Sequence, residues 1–279
     1  MGGLELAMVV GSALLHATWG AAIKGSRDPL AFNVAQGLLT LLIGLLLIPW
    51  AGLGSVPASV WGILAATGVA HGAYWYGLSR SLTETDYSLA YPIIRSTPAF
   101  LPWIAVPFLG ERITAIGALG VAVVVLGIWA LRGSRSRHQP ERLGLAYFTL
   151  ATTVAYSLLD KQAMVLISAE PWTALLPRSL VLYFLISAVG VVGFLPLAAR
   201  RVTPRSLRAT VCRELRGILG AAVIGVVGYG LILEAYRTAP ASYVVAVRQL
   251  SVLFALVIAV AVFGERASWR RVLGATATV

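Results

Sequence analysis

The chain has 279 residues, of which 58% are hydrophobic and 12% charged, against a globular norm of about 25% charged. So little charge cannot wet the surface of a soluble enzyme of this size, and the apolar abundance excludes a disordered chain. One cysteine, Cys212, excludes an intrachain disulfide scaffold. The net charge of +11 does not indicate nucleic acid, because Lys and Arg fall in short clusters between apolar blocks, as in the loops of membrane proteins.

A helix crossing a bilayer needs about 20 mostly apolar residues. Ten such blocks are predicted, at 4–24, 30–50, 59–80, 87–109, 113–131, 143–166, 172–198, 217–236, 240–263 and 268–279, joined by short connections. The expected class is an all-α integral membrane protein. The first block carries Glu5 and no preceding Lys or Arg, which is not the pattern of a secretory signal. The tenth has 12 residues, roughly 18 Å of helix, and is expected to be cut short by the end of the chain.

The two halves resemble one another. Gly110-Glu111-Arg112 recurs as Gly264-Glu265-Arg266, 154 positions later, and Gly62-Ile63-Leu64 recurs as Gly217-Ile218-Leu219, 155 later. Tyr74 then falls on Tyr229, Arg95 matches Arg248, and Lys24 and Lys161 end matching first helices. The predicted repeats are 1–133 and 143–279, divided at the polar run 132–142. Five helices is an odd number, so the second copy enters the membrane from the opposite side, and the halves are expected to be inverted about an axis in the membrane plane.

Ten helices in two five-helix halves, the repeated Gly-Glu-Arg and the opening stretch Leu14 to Lys24 resemble the EamA family of the drug/metabolite transporter superfamily. The resemblance implies a multi-pass carrier of the bacterial inner membrane, often exporting amino acids or other small organic solutes. It also implies termini in the cytoplasm. The positive-inside rule predicts otherwise. Odd-numbered loops hold Arg27, Arg80, Arg132 and most of the other loop arginines, whereas the even ones hold Arg112 and Arg237, so both termini are expected outside.

Ionisable groups at membrane depth are expensive and mark functional sites. Tyr91, Arg95, Pro98 and Pro102 share one face of the fourth block, whose interior prolines free backbone carbonyls that cannot face lipid. Arg95, its counterpart Arg248 with Gln249 beside it, and Arg178 are the basic substrate-binding candidates, each presenting a planar fork to a carboxylate. Arg248 alternatively pairs with Glu234 or Asp160. His71 with Tyr74, and Trp19 beside His16, complete the predicted binding set; Glu234, His16 and His71 are proton-coupling candidates. Asp160 next to Lys161 reads as an interfacial pair, Glu111-Arg112 and Glu265-Arg266 as local edge pairs or gates, and Gly68-x-x-x-Gly72 and Ala221-x-x-x-Gly225 as sites of close helix contact.

No His or Cys spacing fits a metal, and no cofactor is expected. Excess Arg over acid in the predicted cavity favours an anionic or zwitterionic solute, moved by alternating access with protons as a possible second ligand. The expected partners are thus a small molecule, protons and the bilayer, as a monomer or homodimer. The alternatives are a carrier of cationic drug-like compounds and a non-transporting scaffold or sensor. An enzyme is not expected, because H-E-x-x-H, G-x-S-x-G and P-loop patterns are absent.

Overall fold

The computed structural model describes residues 1–84, 90, 93–130 and 143–261, and the elements among them are helices. They are α1 (Gly3–Gly25), α2 (Pro29–Ala51), a short 3-10 turn (Leu53–Ser55), α3 (Ala58–Glu84), α4 (Thr97–Leu109), α5 (Ala115–Ala130), α6 (Gly144–Ala169), α7 (Arg178–Ala198), α8 (Pro204–Tyr236), α9 (Ala241–Arg248) and α10 (Leu250–Ala261).

Local chemistry sets several ends. Asp28 accepts from the Ala31 amide at 3.0 Å, and Pro29 follows it at the first helical position, where no amide partner is needed. Thr203 and Ser206 form a reciprocal capping box ahead of α8. Gly52 ends α2 at φ +56°, where a Cβ would lie 2.4 Å from that of Ala174.

Five helical stretches are long and apolar enough to cross a membrane: α1, α2, α7, α8 and the stretch Ala241–Ile258; α4 and α5 belong to shorter apolar stretches. The remaining two, α3 and α6, have the length but carry more polar groups, among them Thr67, His71, Thr149 and Asp160, all buried. Meanwhile Leu46, Trp103, Phe108, Ile116, Leu119 and Leu126 are exposed. Apolar side chains outside and polar ones inside is the arrangement for a hydrocarbon solvent, in which buried protein is the place for a polar group.

The packing is paired. α3 lies against α6 and α7, while α8 lies against α1 and α2; α4 meets α6, while α9 and α10 meet α1; α2 and α7 meet each other. The α3–α7 contact is close. A Cβ on Gly68 would come 2.4 Å from Val189 Cβ, and one on Gly72 would come 2.5 Å from the Gly190 carbonyl oxygen. Without side chains there, the backbones approach closely. At Gly225 a Cβ would sit 3.3 Å from both Gln36 Nε2 and Tyr183 Oη.

Three predicted boundaries are corrected. The seventh block begins at Arg178 and not at 172, because Pro177 supplies the N-cap. The eighth extends back to Pro204 through a kink at Glu214, so its basic residues Arg205, Arg208, Arg213 and Arg216 are helical. The ninth is interrupted at Gln249. The tenth block and the polar run 132–142 lie outside the described residues, which therefore do not give the expected helix count.

Candidate functional site

Two neighbouring cavities occupy the middle of the helix assembly. The larger, about 630 Å³ including its open part, is walled by Trp19, His71, Tyr74, Trp75, Tyr156, Tyr183 and Tyr229, with Ser12, Gln36 and Arg248 among its polar groups. The smaller, about 340 Å³, is lined by Arg95, Thr97, Thr153, Ser157, Gln249 and others, and shares His16, Tyr74, Tyr156 and Arg248 with the first.

Matching positions of the two halves converge on this centre. Tyr74 and Tyr229 come from α3 and α8, and Arg95 and Arg248 from the helices that match them. His16 and Trp19 on α1 are answered by Thr153 and Tyr156 on α6, 137 positions later, the offset that separates Lys24 from Lys161.

Each arginine sits at a helix interruption. The Ser96 amide donates to the Ile93 carbonyl at 3.0 Å and the Ala99 amide to Ser96 at 2.9 Å; the Gln249 amide donates to Ala246 at 3.0 Å and the Val252 amide to Gln249 at 2.8 Å. These three-residue bonds tighten both helices directly after Arg95 and Arg248. In the first case Pro98 lacks the amide and displaces the Ile94 carbonyl. In the second no proline is involved. The Gln249 side-chain amide donates to the Val245 carbonyl at 3.1 Å and so satisfies one of the acceptors that the break releases.

Arg248 is 8% exposed, and its guanidinium has neither a hydrogen bond nor a carboxylate among the described residues. It lies over the Tyr229 ring, 5.2 Å from the ring centre, in a cation–π contact. Neither Glu234 nor Asp160 pairs with it. Glu234 lies at the end of α8 in an ion pair with Arg237, outside both cavities. The Arg95 guanidinium donates from Nη2 to His16 Nε2 at 2.9 Å; since arginine has donors only, that imidazole nitrogen is the acceptor.

Asp160 is fully buried, and it is not an interfacial partner of Lys161. Its Oδ1 accepts from Thr67 Oγ1 at 2.6 Å, and its Oδ2 accepts from Tyr229 Oη and lies 3.0 Å from His71 Nε2. Lys161 turns the other way and donates to the carbonyls of Tyr236 and Ala239, at 2.6 and 3.0 Å. His71 stacks on Tyr156 with ring centres 4.1 Å apart. Trp19 Nε1 donates to Gln36 Oε1 at 2.9 Å, and the Trp19 ring stacks on His16.

Of the predicted binding residues, Arg95, Arg248, Gln249, His71, Tyr74 and Trp19 border a cavity, as does the proton-coupling candidate His16. Arg178 does not. It sits at the start of α7, donates to the Glu170 carbonyl at 2.8 Å and stacks on Trp172. Tyr91 lies outside the described residues. Glu111 also departs from expectation, for it does not pair locally with Arg112. It accepts from the Ala241 amide and from the Ser242 amide and hydroxyl, at 3.2 and 2.7 Å for the latter two, and so caps α9. Glu265-Arg266 is outside the described residues. Gln36, Thr67, Tyr156 and Tyr183 were not foreseen. Tyr156 and Asp160 are four residues apart on α6, a spacing that puts them on one face.

Helices with apolar exteriors surround a polar, aromatic-walled hollow, the arrangement of a membrane protein with an internal cavity. The EamA-like transporter family model matches residues 3–133 and again 145–279, and the chain belongs to that family. It is therefore a multi-pass membrane protein of a transporter family. The chain is similar to an uncharacterized transporter encoded in the cobO 3′ region of Sinorhizobium sp., with 31% identity over 78 residues that cover 28% of this chain and 55% of the relative, so it spans about half that protein's length. It also shares its fold with a protein of known crystal structure at a TM-score of 0.71 and 16% identity, covering 100% of this chain and 94% of the other.

Proposed function

We propose that the chain is a secondary carrier of the bacterial inner membrane that exports small organic anions or zwitterions, such as amino acids, by alternating access of two inverted repeats. The observation that carries this reading is Arg248. Among the described residues no carboxylate pairs with this buried guanidinium, and a substrate carboxylate in the adjoining cavity would supply the missing charge. Arg95 adds a second cation to the smaller cavity. Aromatic walls offer flat apolar surface for the remainder of a small solute. The carboxylate of Asp160 is already engaged by three side chains, which disfavours a cationic drug as the cargo.

The repeat reading draws support from the double family match and from the exchange of packing partners between 3–133 and 145–279. Helix interruptions beside the binding groups are the device by which inverted-repeat carriers expose backbone to a substrate.

A thermal-stabilisation screen of purified protein against anionic and zwitterionic metabolites identifies the ligand, because specific binding raises the melting midpoint by mass action. Counterflow of that ligand in proteoliposomes then tests the site. Arg95→Ala and Arg248→Ala should abolish it while the protein still reaches the membrane. Undiminished counterflow in both variants refutes the site.

A further inference from the structure

We infer that His71 and Asp160 form one proton-binding site, joined to Arg248 through Tyr229, and that it loads a proton together with an anionic substrate. The inference rests on the anion carrier proposed above and assigns the second ligand of the same site.

Asp160 has three side-chain partners. Thr67 Oγ1 and Tyr229 Oη both donate to it, an arrangement that suits a carboxylate. His71 Nε2, 3.0 Å from Oδ2, is then the donor nitrogen, which leaves the lone pair on Nδ1. Nδ1 has no hydrogen-bond partner among the described residues, and the ring borders the larger cavity. A proton from cavity water therefore adds at Nδ1, and the neutral imidazole becomes an imidazolium paired with Asp160, with no rearrangement of Thr67 or Tyr229.

His16 is the rival, and the geometry disfavours it. Its Nε2 accepts from Arg95 at 2.9 Å, so a proton there would set two cations against one another. Glu234 is paired with Arg237 and lies outside the cavities.

The groups facing His71 from the surrounding elements are Tyr156 and Asp160 on α6 and Tyr229 on α8, with Tyr74 one turn along α3. Around the cavity follow His16 on α1, Tyr183 on α7 and Arg248 on α9, while α2 contributes the uncharged Gln36. With His71 neutral, Arg95, Arg248 and Asp160 leave one positive charge at the centre. With His71 protonated there are two, which strengthens the attraction for an anion. Tyr229 joins the two ends, since its hydroxyl holds Asp160 and its ring lies under Arg248. Proton and anion binding thus favour each other, the linkage is reciprocal, and export takes the form of an anion leaving with a proton down its own concentration gradient.

Benzoate serves as the probe, with a carboxylate for Arg248 and a ring for the aromatic walls. Purified carrier in weakly buffered detergent should take up about one proton per benzoate bound near neutral pH, and benzoate should bind on the order of tenfold tighter at the acid end of the range. The ratio of protons to bound benzoate should fall towards zero in His71→Gln and in Tyr229→Phe, the second of which keeps the ring beneath Arg248. An unchanged ratio in His71→Gln overturns the assignment. So does benzoate binding that depends on Arg248 yet takes up no proton in the unaltered protein, an outcome that leaves the anion carrier standing. If benzoate does not bind, a ligand-free measurement decides the proton site. The chain has three histidines, so the His71 side-chain nitrogen signal is assigned by its loss in His71→Gln. On acidification it should change from the neutral-imidazole to the imidazolium signal. An imidazole that stays neutral throughout, or one that titrates identically in Asp160→Asn, sinks the proposal.

Discussion

Replacing Arg248 with methionine should make the empty protein more stable and the carrier inactive. Exchanging buried ionic groups for apolar ones of similar volume is often neutral or stabilising by about 1–4 kcal/mol. Against that stands the cation–π contact with Tyr229, about 0.5–2 kcal/mol. No hydrogen bond is lost, since the guanidinium makes none among the described residues. The net expectation is an unchanged or raised melting midpoint in detergent. Anion binding moves in the opposite direction: losing one charge-assisted hydrogen bond is worth about 1.5–3 kcal/mol, or roughly 10- to 150-fold in Kd. Arg248→Lys should fall between, keeping the charge but not the fork. Melting curves with and without the ligand read both effects together. A clearly lower midpoint for Arg248→Met, with ligand stabilisation intact, would show that the guanidinium holds the helices together and does not wait for a substrate.

Other outcomes follow from the packing. Gly72→Ala should destabilise by about 1–3 kcal/mol, because the new Cβ meets the Gly190 carbonyl, a backbone atom unable to rotate away; lower expression and an earlier melt would report it. Glu111→Ala removes the cap of α9 and should cost about 0.5–2 kcal/mol, with the α9 start becoming more reactive to a thiol reagent when a cysteine replaces Ser242 in a Cys212→Ser background. Topology reporters should place Ser206, in the arginine-rich segment, in the cytoplasm and Ser55 outside, and the opposite result would restore the orientation that the family resemblance implies.

The membrane class was legible in the sequence because hydropathy is a linear signal; the spacing that sets Arg95 against Arg248 is another, and both residues line the smaller cavity. The partner of Asp160 was not. Lys161 is adjacent in sequence, but neighbours on a helix point about 100° apart, so the two side chains reach different elements. Thr67, His71 and Tyr229 lie 93, 89 and 69 residues from Asp160, and nothing local marks them. The interruption at Gln249 was hidden for a related reason: proline is the visible breaker, as at Pro98, whereas here a glutamine side chain satisfies a released carbonyl. Arg178 misled because an arginine in an apolar run looks the same whether it is central or terminal, and only Pro177, which fixes the helix start, separates the two cases.

Consecutive residues of α6 hold quite different parts of the molecule. Asp160 anchors the side chains at the hollow, and Lys161 clasps two carbonyls where α8 gives way to α9. A helix rolls as one body. A roll of α6 wide enough to unclasp the lysine also drags the carboxylate away from its donors, and a carboxylate pinned by those donors keeps the clasp shut. The latch and its lock are thus cut from the same shaft, and neither can turn alone.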